Sequence, residues 1–163
     1  MFNVLFVCTG NTCRSSMAEI LFKEILKREK LDDKVRVKSS GTSVYTPLPA
    51  SDNALEAVKE LGLDLSSHRS QKINMDLMTE ADLILTMTGS HKEHVLRIIP
   101  DAKDKVYTLV EYATGGQEGD ISDPFGYDLE TYKKCRDEIL KYLEMIVEKV
   151  RQKVENKADE QPK

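Results

Sequence analysis

Short apolar runs alternate with longer amphipathic segments along this chain. The apolar or alternating runs predict four β-strands, over residues 3–7, 34–39, 82–88 and 105–109. Apolar positions at helical spacing predict α-helices over residues 16–30, 50–61, 89–99 and about 128–155. Because right-handed crossovers join strands that are separated by helices, this order predicts an α/β fold with a four-stranded parallel sheet and helices on both faces. In such a sheet, ligands bind beyond the carboxyl ends of the strands.

The last predicted helix is the longest. Its apolar residues recur at steps of three, four or seven and form one stripe, which consists of Leu129, Tyr132, Ile139, Leu143, Ile146, Val150 and Val154. Packing of this stripe on the sheet is the favoured interpretation, and a partner-binding coiled coil is the alternative. Residues 156–163 contain no apolar anchor and are predicted to form a disordered tail. The chain is therefore predicted to be a single domain over residues 1–155.

Composition is that of an ordinary globular protein and argues against several classes. Of the 163 residues, 40% are apolar and 32% are charged, and the length suits one domain. The net charge is -4 and the 24 basic residues are scattered, so no nucleic-acid binding is expected. The first apolar run spans about six residues, too few for a signal peptide or a membrane span. Three cysteines without a dense framework indicate a reducing, cytoplasmic environment.

The candidate chemistry lies in the turn after the first strand, CTGNTCRSS over residues 8–16. The thiolate is the form of cysteine that attacks phosphorus, and an ordinary thiol with a pKa near about 8.5 is mostly protonated at neutral pH. Converging backbone N–H groups and the positive end of the following helix stabilise an anion in such a turn. Arg14 is expected to lower the pKa of Cys8 and to hold two phosphate oxygens. A buried cysteine at the end of a core strand is the alternative interpretation of Cys8.

Neighbouring residues of the turn have predicted supporting roles. Gly10 is expected to adopt a positive φ, and Asn11 is the next most tolerant residue type for that conformation. Ser15 is expected to donate a hydrogen bond to the sulfur of the nucleophile. Ser16 and Glu19 match the S-x-x-E pattern of a helix start.

Four motifs together resemble the low-molecular-weight protein tyrosine phosphatase superfamily: CTGNTCRSS at 8–16, SSGT at 39–42, ADLILTM at 81–87 and DPFG at 123–126. The resemblance covers about residues 1–150 and is strongest to the protein-arginine phosphatase branch. Tyrosine-directed members usually carry isoleucine at the position of Thr12, and often an aromatic residue or pair after the aspartate and proline. The resemblance implies a three-layer, phosphotyrosine protein phosphatase I-like fold with flavodoxin-like winding, a cysteinyl-phosphate intermediate and an aspartate general acid.

In this resemblance the catalytic residues are Cys8, Arg14 and Asp123. A leaving nitrogen or oxygen needs a proton as its bond to phosphorus breaks, and the same carboxylate can then take a proton from the attacking water. Asp123 lies in a Gly-rich segment, residues 114–126, which could close over a ligand. An Asp-Pro pair that only starts a turn is the alternative. Phe125 is predicted either to form a wall of the pocket or to anchor the loop on the core.

The substrate-binding residues are predicted to be Thr9, Gly10, Asn11, Thr12, Cys13, Ser15 and Phe125. Thr12 is the candidate selector, because a polar guanidinium suits a hydroxyl better than an isoleucine side chain. Simple filling of the isoleucine volume by Thr12 is the alternative. The hypothesis is therefore a protein phosphatase that acts on phosphoarginine, with a tyrosine phosphatase of the same mechanism as the alternative.

Two other functions are less favoured. Arsenate reductases that share this loop relay electrons through two further cysteines, and this chain has none between Arg14 and Lys134. A silent phosphate-binding module would need neither a nucleophile nor an acid. No metal or organic cofactor is implied, because the turn and Arg14 supply positive charge. The expected partners are phosphorylated proteins and phosphate or other oxyanions, and the oligomeric state is open.

The sequence also suggests roles for the two other cysteines, Cys13 and Cys135. Cys13 is close enough in sequence to form a reversible disulfide with Cys8 that would protect it from peroxide. A small buried residue that supports the loop is the equal alternative for Cys13. Cys135, on the last helix, is interpreted as a packing residue.

Four polar residues outside the turn have alternative predicted roles. By the resemblance, Ser39 is expected to hold Asn11, with a plain turn at the strand end as the alternative. His91 and His94 are at helical spacing, but two histidines without a third ligand do not make a metal site. His68 belongs either to a surface turn or to the hydrogen bonds that hold a loop.

Overall fold

A four-stranded parallel sheet lies at the centre of the computed structural model, which describes residues 1–160. The strands are β1 (Phe2–Cys8), β2 (Val35–Gly41), β3 (Leu83–Thr86) and β4 (Val106–Thr108). The helices are α1 (Arg14–Arg28), α2 (Asp52–Lys59), α3 (Met75–Glu80), α4 (Gly89–Ile98), α5 (Leu109–Thr114) and α6 (Leu129–Glu160), with a 3-10 turn at Pro100–Ala102. The strand order is β2-β1-β3-β4. The predicted fold class, strand number and parallel pairing are therefore confirmed.

Helices cover both faces of the sheet. Successive side chains of a strand point to opposite faces, and β1 contributes to two cores in this way. Val4 and Phe6 pack with α1, α2, α5 and α6 in the larger core. Leu5 and Val7 pack with α3 and α4 in the smaller one. The predicted three-layer architecture is confirmed.

Two short helices, α3 and α5, are absent from the sequence prediction. Each has six residues, too few to show a helical period. A capping box starts α5: the Thr108 hydroxyl accepts the Glu111 N–H, and the Glu111 carboxylate accepts the Thr108 N–H. The last predicted strand therefore ends at Thr108 and the chain turns at once into a helix.

The apolar stripe of α6 packs against the body of the protein. Its members Tyr132, Ile139, Leu143, Ile146 and Val150 are all buried. Packing on the sheet side is thus the correct interpretation of the stripe, and a free coiled-coil face is not what the structure shows. None of the helices within residues 1–160 combines the length and the apolar character that a bilayer crossing requires.

The predicted disordered tail is wrong for residues 156–160, because α6 continues as a helix to Glu160. Lys157 gives a physical reason. Its ammonium donates to the Met1 carbonyl at 2.7 Å and pairs with Asp82 at 2.8 Å, so a charged residue, rather than an apolar one, fastens this turn. The remaining residues, 161–163, lie outside the described part of the chain, and the single domain over 1–155 stays a prediction.

Candidate active site

Cys8 is the last residue of β1, at the carboxyl edge of the sheet. The strand pairs with β2 on one side and with β3 on the other, so the winding direction of the sheet changes at this point. Ligands of open α/β sheets bind at such a switch point. The Cys8 side chain is buried, and its sulfur lies 2.8 Å from Ser15 Oγ and 3.3 Å from the backbone nitrogen of Asn11.

Opposing effects act on the pKa of Cys8. Burial raises the pKa of the thiol, against the sequence prediction of a lowered one. The hydroxyl and N–H of Ser15, the charge of Arg14 and the N–H of Asn11 each lower it, and the positive end of α1 acts in the same direction. A thiolate at neutral pH therefore requires that these donors and charges together outweigh desolvation.

The variant Ser15→Ala tests this balance. The Ser15 hydroxyl is the first of the hydrogen bonds that lower the pKa of Cys8, so its removal should raise that pKa further. The rate of Cys8 alkylation by iodoacetamide, measured against pH, reports the pKa directly. An unchanged alkylation profile in Ser15→Ala would show that the hydroxyl does not stabilise the thiolate.

Asn11, not Gly10, carries the left-handed conformation of the turn. Its φ is 57°, and Gly10 is not among the residues of positive φ within the described chain. The expectation for Gly10 is therefore wrong. The side chain of Asn11 makes the strain tolerable, because Nδ2 donates to Ser15 Oγ at 2.8 Å and to Ser39 Oγ at 2.9 Å, while Oδ1 accepts the Gln71 N–H at 3.0 Å.

His68 holds the same residue through its backbone. Its Nε2 donates to the Asn11 carbonyl at 2.6 Å. Of the two roles that the sequence leaves open for His68, the structure shows the loop contact. The hydrogen bond that the resemblance implies between Ser39 and Asn11 is also present, so the turn is fixed from residues far along the chain.

The predicted helix start at Ser16 and Glu19 is wrong. Helix α1 begins two residues earlier, at Arg14, and the Ser16 hydroxyl donates back to the Cys13 carbonyl at 2.9 Å. Glu19 instead accepts from the Ser39 hydroxyl at 2.7 Å. No side chain caps α1 at Cys13, so its first N–H groups remain available to an anion in the turn.

Arg14 is buried and lines the cavity. Its Nη1 donates to the Ile121 carbonyl at 2.9 Å, and Nη2 lies 3.6 Å from Asp123 Oδ2. Ile121 is in turn bonded to the end of the sheet, because its N–H donates to the Met87 carbonyl at 2.8 Å. Arg14 therefore links the turn to the loop of the candidate acid.

Asp123 stands at the mouth of the site. Its side chain is 52% exposed, against 5% for Arg14. One carboxylate oxygen, Oδ1, accepts the Phe125 N–H at 3.1 Å in an Asx turn, while the other, Oδ2, faces Arg14. The turn-starting interpretation of Asp123 is thus correct for one oxygen, while the second oxygen pairs with Arg14 beside the cavity.

A cavity of about 210 Å³ brings most of the predicted site residues together: Cys8, Thr9, Gly10, Asn11, Thr12, Cys13, Arg14, Asp123 and Phe125 line it. Ser15 is absent from this lining and lies buried behind the Cys8 sulfur. The Phe125 side chain is 70% exposed, which fits a wall of the pocket and not an anchor in the core. A larger groove of about 670 Å³, beside β2 and α1, contains no cysteine.

Cys13 has polar partners from two other segments of the chain. Its sulfur lies 3.3 Å from Ser51 Oγ and 3.3 Å from the Tyr132 hydroxyl. Burial, with a contribution from Cys13, raises the pKa of Tyr132 to about 12. Burial likewise raises the pKa of Cys135 to about 12, which agrees with a packing role for that residue.

Several residues of the site carry no sequence signal. Ser51, Gln71 and Ile121 reach the turn from three different segments, and none belongs to a recognisable motif. Gln71 lies near the end of β2, because its neighbour Lys72 pairs with Gly41, the last residue of that strand. Only this proximity to a strand end could have indicated that Gln71 contacts the turn. Within residues 1–160, no three His, Cys, Asp or Glu side chains gather as metal ligands.

A parallel α/β sheet whose first strand ends in a buried cysteine, with an arginine and an exposed aspartate around one small cavity, defines a cysteine-dependent phosphatase. The family model described as low molecular weight phosphotyrosine protein phosphatase matches residues 3–156. The chain belongs to this family. The predicted superfamily and enzyme class are therefore confirmed.

Similar proteins include both substrate branches. A protein-arginine-phosphatase of Bacillus subtilis (strain 168) is 42% identical over 91% of this chain and 97% of its own length. A low molecular weight protein-tyrosine-phosphatase, PtpB of Staphylococcus haemolyticus, is 36% identical over 84% of this chain and 91% of its own length. A structure of the YwlE arginine phosphatase with a phosphorylated active-site serine superposes with a TM-score of 0.87 at 42% identity, covering 92% of this chain and 96% of that one.

Proposed function

We propose that this chain is a protein-arginine phosphatase that works through a cysteinyl-phosphate intermediate. The main support is the position of Thr12, which lines the same cavity as Cys8 and Asp123. A phosphoarginine guanidinium carries N–H donors that need acceptors, and hydroxyl and carboxylate oxygens supply them. The similarity to proteins named protein-arginine-phosphatase supports the same substrate.

In the first proposed step, Cys8 Sγ attacks phosphorus as a thiolate. The P–N bond to the guanidinium breaks while Asp123 gives its proton to the leaving nitrogen. Arg14 and the backbone N–H groups of the turn hold the phosphoryl oxygens through the loose transition state. The relative with a phosphorylated active-site serine supports a covalent intermediate at the corresponding position.

In the second step, water attacks the phosphorus of cysteinyl phosphate. Asp123, now a carboxylate, takes the proton of the water, the P–S bond breaks, and inorganic phosphate leaves with the thiolate restored. The positive charge of Arg14 and of the helix end acts throughout, so the mechanism needs no metal or organic cofactor.

Substrate preference should depend on the Thr12 hydroxyl. The native protein is expected to have a higher kcat/KM on phosphoarginine peptides than on phosphotyrosine peptides. Thr12→Ile should lower the ratio of the two efficiencies about tenfold or more, because the guanidinium is left with an unpaired N–H in the cavity. Steady-state kinetics on matched peptides measures the ratio.

Thr12→Val is the matched control, since it removes the hydroxyl and keeps the β-branched volume. A drop in both variants assigns selection to the hydroxyl, and a drop in Thr12→Ile alone assigns it to volume. An unchanged ratio in both would remove Thr12 as the selector. A native protein that prefers phosphotyrosine peptides would favour the tyrosine phosphatase alternative.

Cys13 should protect the nucleophile from irreversible oxidation. Peroxide converts the Cys8 thiolate to a sulfenic acid, and the Cys13 thiol condenses with it to a disulfide and water. After peroxide and then reductant, the native protein should recover at least roughly tenfold more activity than Cys13→Ser, whose sulfenic acid proceeds to sulfinic acid. Cys135→Ser serves as the control and should recover as the native protein does.

Equal recovery in native protein and Cys13→Ser would leave Cys13 with the role that its contacts already show, support of the turn through Ser51 and Tyr132.

Phosphorylated proteins are the proposed partners. A cytoplasmic location, which would keep both thiols reduced, stays a prediction from the cysteine content.

A further inference from the structure

His91 lies outside the active-site cavity but is bonded to a residue that lines it. It is the third residue of α4, only 6% exposed, and both of its ring nitrogens have a partner. Nε2 lies 2.8 Å from Thr9 Oγ1, and Nδ1 lies 3.0 Å from Thr88 Oγ1. A buried imidazole bonded at both nitrogens is held in one orientation.

The contacts indicate which nitrogen donates. Thr88 caps α4, and its hydroxyl oxygen accepts the backbone N–H of His91 at 3.2 Å. The hydroxyl proton of Thr88 is then free to donate to Nδ1. Burial lowers the pKa of His91 to about 4, so the ring is neutral at neutral pH and carries its single proton at Nε2. His91 therefore donates from Nε2 to Thr9 Oγ1.

The hydrogen bond between His91 and Thr9 holds the turn on the β3 side of β1, where no backbone hydrogen bond of the described residues reaches Thr9. Toward β2, the Ser43 N–H donates to the Thr9 carbonyl at 3.0 Å. Toward β3, the last backbone bond is the one from Met87 N–H to the Val7 carbonyl, at 2.9 Å, before the turn begins. Among the hydrogen bonds of residues 1–160, the one from the His91 ring is the only one that joins α4, or the connection before it, to residues 8–14.

We propose that His91 is a positioning residue of this phosphatase, which fixes the peptide after the nucleophile by donating to Thr9 Oγ1. Thr9 directly follows Cys8 and lines the cavity. A Thr9 free to rotate would misdirect the N–H groups that meet the phosphoryl oxygens. The proposal rests on the phosphatase function proposed above, and its effect should appear in oxyanion affinity.

Orthovanadate inhibition of the full chain tests the proposal. Thr9→Val and His91→Leu should each raise the vanadate inhibition constant about fivefold, the effect of one neutral hydrogen bond. Their double variant should be no worse than either single one, because both remove the same bond. His91→Gln, whose amide can donate from a similar position, should stay within about twofold of the native protein. With an aryl phosphate substrate, KM should rise while kcat changes less.

His94→Gln, on the same helix, is the control and should leave vanadate inhibition unchanged. Native vanadate affinity in Thr9→Val, or additive effects in the double variant, would overturn the role of His91. The role would also be overturned if His91→Leu lowered the urea midpoint of unfolding while Thr9→Val left vanadate inhibition unchanged. That result would mean that His91 only stabilises the core. If His91→Leu fails to fold, Thr9→Val and His91→Gln still decide. A native protein that vanadate does not inhibit would overturn the proposed function as well, so the two failures are distinguishable.

Discussion

Replacement of Cys8 by serine is expected to lower kcat on phosphoarginine peptides and aryl phosphates by at least about 10⁴-fold. A serine hydroxyl is not ionised to the alkoxide near neutral pH, even with the hydrogen-bond donors that surround this position. The change is nearly isosteric, so the buried side chain at the end of β1 should still pack. Steady-state turnover, with circular dichroism to confirm folding, measures the effect.

Cys135→Ser is the matched control for this variant. It makes the same chemical change at a buried cysteine on α6 and should keep turnover within a few-fold of the native value, because Cys135 is absent from the cavity lining. Full turnover by Cys8→Ser would defeat the covalent mechanism. A native protein with no turnover of any aryl phosphate would instead favour a silent phosphate-binding module.

Asp123→Asn should lower kcat about 10²- to 10⁴-fold on substrates with basic leaving groups. An amide of the same shape keeps the Asx turn with the Phe125 N–H but cannot give a proton to a leaving nitrogen. The defect should shrink with p-nitrophenyl phosphate, whose leaving group departs without protonation. A plot of activity against leaving-group pKa in the native protein and the variant shows the difference as a change in slope.

Asp128→Asn controls for a nearby change of charge. Asp128 accepts the Thr131 N–H at 3.0 Å at the start of α6, and asparagine caps a helix as well as aspartate does. That variant should keep native kinetics. An equal loss on all leaving groups in Asp123→Asn would contradict an acid role and would indicate that the carboxylate mainly holds Arg14.

The sheet could be predicted from the sequence because its signal is local. Residues 3–7, 34–39, 82–88 and 105–109 are short apolar or alternating runs between amphipathic segments, and each contains a strand in the structure. The prediction failed where the determining contact is distant or the element is short. Lys157 extends α6 by reaching Asp82 and Met1, and no periodic pattern encodes such a contact.

The same distinction between local signals and distant contacts separates the site residues that could be predicted from those that could not. Cys8, Arg14 and Ser15 could be predicted because one contiguous turn contains them. The assignment of Asp123 as the proposed acid needed the resemblance, since an Asp-Pro pair alone indicates only a turn. His68 and His91 reach the turn across 57 and 82 residues of sequence, and an isolated histidine in a single sequence does not reveal its partner.

The proposed nucleophile, Cys8, and the proposed acid, Asp123, differ in how deeply they are buried. Cys8 and Arg14 are buried at the end of β1 and in the first turn of α1, whereas the Asp123 side chain is half exposed on a glycine-rich connection. The amides of the turn should therefore exchange with deuterium only when the whole domain opens, and those around Asp123 should exchange by local fluctuation. Heat or urea should then abolish oxyanion binding and tertiary structure in a single transition, while local fluctuations let Asp123 move on a faster timescale, such as that of ligand binding and release.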